Sequence, residues 1–202
     1  MVDKKKETEE QIFEAAERVF QRDGYAGARM QDIADEAGIN KSMLHYYYRS
    51  KEKLFQKVFQ EGMRQFFPVI FNVLSSDLAL IPKIEALVEA YYTKFEEKPH
   101  LPSFIIHEMN QHPDRFKEFM KTTSFRIPEQ FIKQIQAEME AGTMRRMDVR
   151  EFLINTIGLC VFPLVARPMI EVVLGINDEQ FGMFLEKRKK ELPKFILNAI
   201  QK

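Results

Sequence analysis

Residues 38–55 read GINKSMLHYYYRSKEKLF, and they set Lys41, Ser42, His45 and three consecutive tyrosines within eight positions, followed by Arg49, Lys51 and Lys53. These side chains donate hydrogen bonds and carry positive charge, and the rings add flat apolar surface. A core segment would not be so polar, nor a solvated helix so aromatic. The chemistry on offer is recognition: donors suit phosphate oxygens and base edges, and ring faces suit thymine methyls. Nothing in the chain supports catalysis, since there is no nucleophile–base pair, no glycine loop to cradle a phosphate and no metal spacing. HEMNQH, residues 107–112, superficially resembles a zinc-protease helix. Its histidines are five apart rather than four, roughly 140° off one face, so no metal site is expected.

Helical periodicity positions these groups. Ile12, Ala16, Val19 and Phe20 share one face of a first helix, expected over about residues 8–22, with Thr8 and Gln11 as a capping box and Gly24 as its stop. MQDIADEAG gives a two-turn helix with Met30, Ile33, Ala34 and Ala37 on one face. Gly38 turns the chain, Asn40 caps a third helix over KSMLHYYY, and Ser50 caps a fourth that carries the stripe Leu54, Phe55, Val58, Phe59 and Phe66. Two short helices around a glycine turn form the helix-turn-helix pattern. Ile33, Ala34, Ala37, Ile39 and Leu44 would pack its inside. Successive helical residues point about 100° apart, so the tyrosines must divide: Tyr48 is assigned to the core, Tyr46 and Tyr47 to contacts.

Beyond residue 66 the chain reads as further helices, opened or broken by Pro82, Pro99, Pro102, Pro113 and Pro128. Asp148 with Glu151 starts one long piece, VREFLINTIGLCVFPLVARPMIEVV, and Asn177 starts another. Phe152 to Ala166 is apolar nearly all round and should be buried on every side. Strand signals are absent. The expected fold is all-α with about nine helices: a helix-turn-helix domain over 1–53, its motif at about 29–48, and a larger helical domain over 54–202. The seam should lie within the fourth helix, which couples the two.

Composition bounds the rest. The 30 Lys and Arg balance 30 Asp and Glu, so bulk charge names no partner and placement decides. Residues 38–57 hold five basic residues against Glu52 alone; residues 1–37 hold six against ten acids. Lys4, Lys5 and Lys6 are expected to be a disordered tail rather than a groove-binding arm. Cys160, the one cysteine, sits among apolar neighbours and should be an inert buried hydrophobe in a reducing compartment. MVDKKKETEE lacks a signal-peptide core, and no run reaches the roughly 20 apolar residues of a membrane span. A soluble, cytoplasmic protein with no membrane partner is expected.

The stretch GYAGARMQDIADEAGINKSMLHYYYRSKEKLF resembles the N-terminal domain of the tetracycline-repressor-like (TetR) transcriptional regulators. The matching positions are Gly24-Tyr25, Ile33-Ala34, Ala37-Gly38-Ile39-Asn40-Lys41, Leu44, Tyr46-Tyr47 and Ser50-Lys51-Glu52-Lys53-Leu54, about a quarter of the chain. EAGTMRRMDVREFLINTIGLC resembles the entry to that family's dimerisation helices. The resemblance implies that Lys41, Ser42, Met43, His45 and Tyr47 read bases in the major groove. It implies that Tyr46 and Lys51 contact phosphates, and that Gln31 and Met30 contact DNA at the start of the second helix. Lys51 also lies in the first turn of the fourth helix, where free N–H groups favour a phosphate. Ala28 and Arg29 depart from the usual Thr/Ser pair: a hydroxyl cap is lost, and Arg29 is offered as a phosphate contact instead. His45 replaces the first common tyrosine, and Tyr48 replaces the usual phenylalanine.

What the resemblance implies is a non-enzymatic regulator: a homodimer joined near 148–170 and 178–200, acting as a ligand-responsive repressor. Its operator would be palindromic double-stranded DNA, read by two helices roughly 34–36 Å apart. No cofactor is implied, but a small-molecule inducer is. Tyr91, Phe95, Phe104, His107, Phe116, Asn155 and Phe162 are the residues offered to its cavity, each also a good core residue. The alternative is a regulator with no small-molecule site, controlled by a protein partner; it expects a filled C-terminal core.

Overall fold

The computed structural model describes residues 2–123 and 126–201, with side chains from Lys6 onward. Among them run α1 (Val2–Gly27), α2 (Met30–Glu36), α3 (Lys41–Tyr47), α4 (Lys51–Leu74), α5 (Leu80–Glu97), α6 (Leu101–Gln111), α7 (Pro113–Thr122), α8 (Glu129–Ala141), α9 (Val149–Val165), α10 (Arg167–Leu174) and α11 (Asp178–Ile200). The all-α class is as expected, but the described residues form eleven helices rather than about nine. One reason is local: the long piece after Asp148 breaks at Ala166, and α10 restarts with Pro168 in its first turn, bent by 77° from α9.

The first helix also begins earlier than expected. Nothing stops the helix formers of DKKKETEE from continuing it, so the backbone is helical from Val2 and Thr8 lies inside α1 rather than capping it. Lys4 and Lys5 are therefore helical in backbone and not a tail; their side chains lie outside the described residues. Gly24 interrupts α1 at φ 67°, ψ 176°, the role expected of it.

Two compact units result, one of Met1–Gln65 and Lys98–Lys117, the other of Phe66–Glu97 and Glu118–Lys202. The first takes α6 and half of α7 as well as the helix-turn-helix. Its core holds Ile12, Ala16, Val19, Phe20, Ile33, Ala34, Leu44, Leu54, Phe55, Val58 and Phe59. Phe20, Phe55 and Phe104 meet edge-on or tilted, with ring centroids 4.9–6.1 Å apart, a geometry that adds to their area burial.

In the second unit Ile84, Leu87, Val88, Tyr91, Tyr92 and Phe95 of α5 pack with Phe131, Phe152, Cys160, Phe181, Leu192 and Ile196. Burial pushes the Cys160 thiol up to about 12, which keeps it protonated and inert. Pro163 and Pro193 sit inside helices without ending them. Pro163 cannot donate to the carbonyl four residues back, and Arg188 Nη2 supplies that carbonyl, Leu159 O, with a bond of 2.9 Å instead. Lys83 is buried, with its ammonium 2.6 Å from Gln134 Oε1, 3.4 Å from Leu74 O and above the Phe131 ring. It thus satisfies a carbonyl at the end of α4, although burial pushes its pKa down against the pull of Asp77.

Phe152 to Ala166 is covered by its own chain on one side only: Phe152, Thr156 and Cys160 are buried, while Ile154 and Phe162 are exposed on α9. An apolar sequence reports that a surface seeks cover, but not whether its own chain provides it.

Candidate nucleic-acid interface

Between α2 and α3 the chain turns at Gly38, whose φ of 66° is costly for any side chain with a Cβ. Gly38 N–H reaches Asp35 O and Ile39 N–H reaches Ala34 O, which closes the end of α2. Asn40 is extended, and its Oδ1 accepts from Met43 N–H at 2.7 Å. Asn40→Ala should therefore cost about 1 kcal/mol in equilibrium denaturation; an unchanged midpoint would show that the cap contributes nothing.

With the start of α3 fixed, its faces follow. Leu44 is buried; Lys41, Ser42, Met43, His45 and Tyr46 are exposed, Tyr46 at 75%. Tyr47 is half-buried with its ring against the edge of Tyr46, centroids 5.5 Å apart. Tyr48 is buried, its hydroxyl donating to Glu9 Oε1 at 3.4 Å; burial first, then Glu9, pushes that hydroxyl up to about 12. The tyrosines divide as expected for Tyr46 and Tyr48, with Tyr47 between. At the start of α2, Arg29 is exposed and extended and makes no side-chain cap bond, and Met30 is half-buried. Gln31 is exposed and its amide holds Asp35 at 2.8 Å.

Charge pairing sorts the cations. Arg18 binds Glu36 at 2.7 Å and Arg22 binds Asp23 at 2.9 Å. Arg29, Lys41, Arg49, Lys53 and Lys57 are exposed and have no ion pair among the described residues. Lys51 is different. Its ammonium donates to Tyr25 O at 2.7 Å and Ala28 O at 2.9 Å and lies 4.5 Å above the Tyr25 ring. It ties the first turn of α4 to the end of α1, a structural task that the sequence pattern did not disclose.

The sequence also missed a polar cluster beside this tie. Glu52 accepts from the Tyr25 hydroxyl at 2.6 Å, from Gln56 at 3.1 Å and from Arg115 Nη2 at 2.6 Å, with His112 Nε2 3.3 Å away. Arg115 forks onto Glu108, only 2% exposed, at 2.5 and 2.7 Å. Burial pushes the Tyr25 hydroxyl up to about 12, reinforced by Glu52, so it remains a donor. Burial also raises the Glu52 carboxyl, but the bonds from Tyr25, Gln56 and Arg115 outweigh it and the net direction is down. Glu52, Glu108 and His112 bring ligand-type atoms within 4.8 Å of one another. The Arg115 guanidinium already stands there as the cation.

The residues offered to a ligand cavity are not gathered in one unit. Phe104, His107 and Phe116 belong to the first, where His107 lies 4.5 Å from the Tyr25 ring and Phe116 6.2 Å from Phe59. Burial lowers the His107 pKa, which keeps the ring neutral. Tyr91, Phe95, Asn155 and Phe162 belong to the second, where Tyr91 and Phe95 pack on Phe66 while Asn155 and Phe162 are exposed on α9. In the second unit a small core cavity of about 30 Å³ is lined by Ile70, Leu74, Leu87, Tyr91, Leu153 and Thr156 among others, and a wider groove of about 760 Å³ runs past Leu80, Pro82, Met144, Leu197 and Ile200.

Residues 12–58 match the family model described as bacterial regulatory proteins, tetR family. That match covers the stretch from within α1 to the start of α4 and is what this part of the chain is similar to. The chain is 46% identical over 56 residues to the HTH-type transcriptional repressor SCO4008 of Streptomyces coelicolor, covering 28% of this chain and 29% of that one. It is 42% identical over 94 residues to the repressor NicS of Pseudomonas putida, covering 45% and 44%. The chain thus spans less than half the length of these curated relatives. Over nearly its whole length it shares a fold with HlyIIR, a hemolysin II transcriptional regulator: TM-score 0.64, 22% identity and 98% of each chain. Among the described residues no single helix is long and apolar enough to cross a membrane.

Proposed function

We propose that this chain is a DNA-binding transcriptional regulator that reads a palindromic operator as a homodimer. The observation that carries it is the capped α3, with Lys41, Ser42, His45 and Tyr46 exposed on one side and Leu44 buried on the other. Lys41, Ser42, Met43, His45 and Tyr47 supply base contacts, and Tyr46, Arg29, Arg49 and Lys53 supply phosphate contacts. Two copies place two such helices roughly one duplex turn apart. Ile154, Phe162, Met183 and Phe195, exposed on α9 and α11, supply the surface that joins them. Repression follows the relatives SCO4008 and NicS, both repressors by name.

Recovery of bound duplexes from a random pool by the full chain tests this. A two-fold symmetric site is expected. Lys41→Ala and His45→Ala should each change the bases enriched at one position per half-site, at about 1–3 kcal/mol per lost bidentate contact. An unaltered preference in both variants would remove base reading from α3, and a pool with no enriched site would remove the operator.

A small molecule taken up at the Tyr91 cavity would have to open it, because about 30 Å³ holds roughly one water. An inducer then works by binding the opened, non-DNA state better than the closed one. That same filled core supports a second reading, in which a protein partner rather than a metabolite releases the operator. A metabolite that dissociates the purified protein–duplex complex decides for the first; release by cell extract, lost after protease but kept after dialysis, decides for the second.

A further inference from the structure

Two glutamates and a histidine meet in the first unit around a single guanidinium. Glu52 lies in the first turn of α4, Glu108 on α6, and His112 at the C-terminal cap of α6. Their ligand-type atoms lie within 4.8 Å of one another. His112 Nε2 stands 3.3 Å from a Glu52 carboxylate oxygen. That spacing fits two ligands of one tetrahedral cation bound at roughly 2.0–2.1 Å. Glu108 and His112 are four positions apart, and the bond from His112 N–H to Glu108 O at 2.9 Å carries the helical spacing through to His112. They therefore share one face of α6. Sequence spacing pointed instead to His107 and His112, five apart, and could not supply Glu52 from another helix.

Charge and an unused donor both favour a further ligand here. Glu52 and Glu108 share Arg115, so two carboxylates face one guanidinium. Glu108 is buried, where an unbalanced charge is costly. Lys51, the neighbour of Glu52, commits its ammonium to Tyr25 O and Ala28 O. A divalent cation would balance both carboxylates at once. The second observation is independent of these pairs. His107 Nε2 is buried and has no hydrogen-bond partner, a rare state for a buried polar atom. Glu108, Glu52, His112 and Arg115 all act on the His107 ring electrostatically, so it borders the same cluster. An imidazole nitrogen without a partner, beside two carboxylates and a second imidazole, is a fourth donor.

We propose that Glu52, Glu108 and His112, with His107 as the fourth ligand, form a site for a divalent transition cation of the Zn²⁺ type, which exchanges with the Arg115 guanidinium. Mixed imidazole and carboxylate donors suit such an ion, whereas Ca²⁺ and Mg²⁺ take oxygen ligands. Arg115 is the group that yields: it starts from α7, and its side chain is a third exposed, so it has a path to water. Filling the site ties the first turn of α4 to α6 through the cation and releases Arg115. Glu52 also accepts from the Tyr25 hydroxyl at 2.6 Å, so the cation acts on the junction between the end of α1 and the start of α4. The site stands on the geometry of the first unit and does not depend on the operator reading.

The test uses the untagged full chain, stripped with a chelator and titrated with Co²⁺. One equivalent per chain should bind with the visible absorption of a site of low coordination number. Zn²⁺ should displace it, and millimolar Mg²⁺ or Ca²⁺ should not. Cys160 is buried and held protonated, so thiolate ligation does not confuse the spectrum. His112→Ala leaves both Arg115 pairs in place, so folding has little stake in it, and it should weaken Zn²⁺ binding at least tenfold. Arg115→Met removes the competing cation. Zn²⁺ should bind that variant at least tenfold more tightly than wild type and raise its melting temperature by more. No binding of submillimolar Zn²⁺ by wild type and Arg115→Met overturns the site. Binding by Arg115→Met alone overturns the exchange and leaves Arg115 as the permanent cation. Binding that His112→Ala does not weaken is an adventitious ion only. Displacement of Co²⁺ by Mg²⁺ or Ca²⁺ would mean that the carboxylates attract any cation, which also overturns the site.

Discussion

Lys51→Met should weaken binding to every duplex by a similar factor, while the slope of log affinity against log salt stays unchanged. A lysine that touches a phosphate behaves otherwise. Its loss releases fewer counterions and lowers the slope by about 0.9. Position in the sequence favours the phosphate role, because Lys51 opens α4 where free N–H groups attract anions. Geometry favours another. The ammonium donates to Tyr25 O and Ala28 O and stands over the Tyr25 ring. A charged donor on two carbonyls contributes about 1.5–3 kcal/mol, and with the side chain half-buried about 2 kcal/mol is expected from equilibrium denaturation. Without it, the end of α1 and the start of α4 separate, and α3, which hangs between them, loses its fixed presentation. Lys53→Met, two residues on, exposed and without an ion pair among the described residues, should show the opposite pattern: little loss of stability and a reduced slope. A reduced slope for Lys51→Met would return Lys51 to the phosphates.

Lys51 marks where sequence reading stops. The turn at Gly38, the caps at Asn40 and Ser50 and the buried stripe of α4 were legible because each depends on neighbours within four residues. Chemistry at those positions has few solutions, so residue type and spacing suffice. The tie from Lys51 spans 26 residues to Tyr25, and Arg115 reaches 63 positions back to Glu52. Pairings at that range depend on how helices pack, and every exposed Lys and Glu of a helical chain is an equally good candidate on paper. The same limit explains the ligand residues. Phe104 and Tyr91 are both aromatic and helical, yet they serve different units.

Proline shows an intermediate case. Pro163 falls within the longest apolar run, yet the helix continues through it, and Arg188 takes the carbonyl that proline leaves unpaired. Pro168 instead lies in the first turn of a new helix, after the bend at Ala166. One residue type gave opposite outcomes, and its position in the sequence does not separate them.

Arg115→Met should destabilise the first unit by about 3 kcal/mol. Glu108 is almost wholly buried and takes both its ion-pair bonds from Arg115. Remove the guanidinium and a carboxylate remains in the interior with no cation, while Glu52 loses its shortest charged contact. The low end of the usual range applies because Arg115 is itself a third exposed. If charge imbalance is the cause, Glu108→Gln in the same chain should recover most of the loss, since a buried neutral amide costs far less than a buried anion. Acidity offers an independent check with a definite sign. Glu52 is held below the usual carboxylate value, so its contribution is complete above about pH 4.5 and fades as pH falls through its lower folded value. The gap in unfolding free energy between wild type and Arg115→Met should therefore be widest near neutrality and narrow below pH 4. A gap under about 0.5 kcal/mol at pH 7, or one that widens in acid, would mean that the cluster is a solvated decoration and that packing of Phe20, Phe55 and Phe104 alone keeps α6 on the reading head.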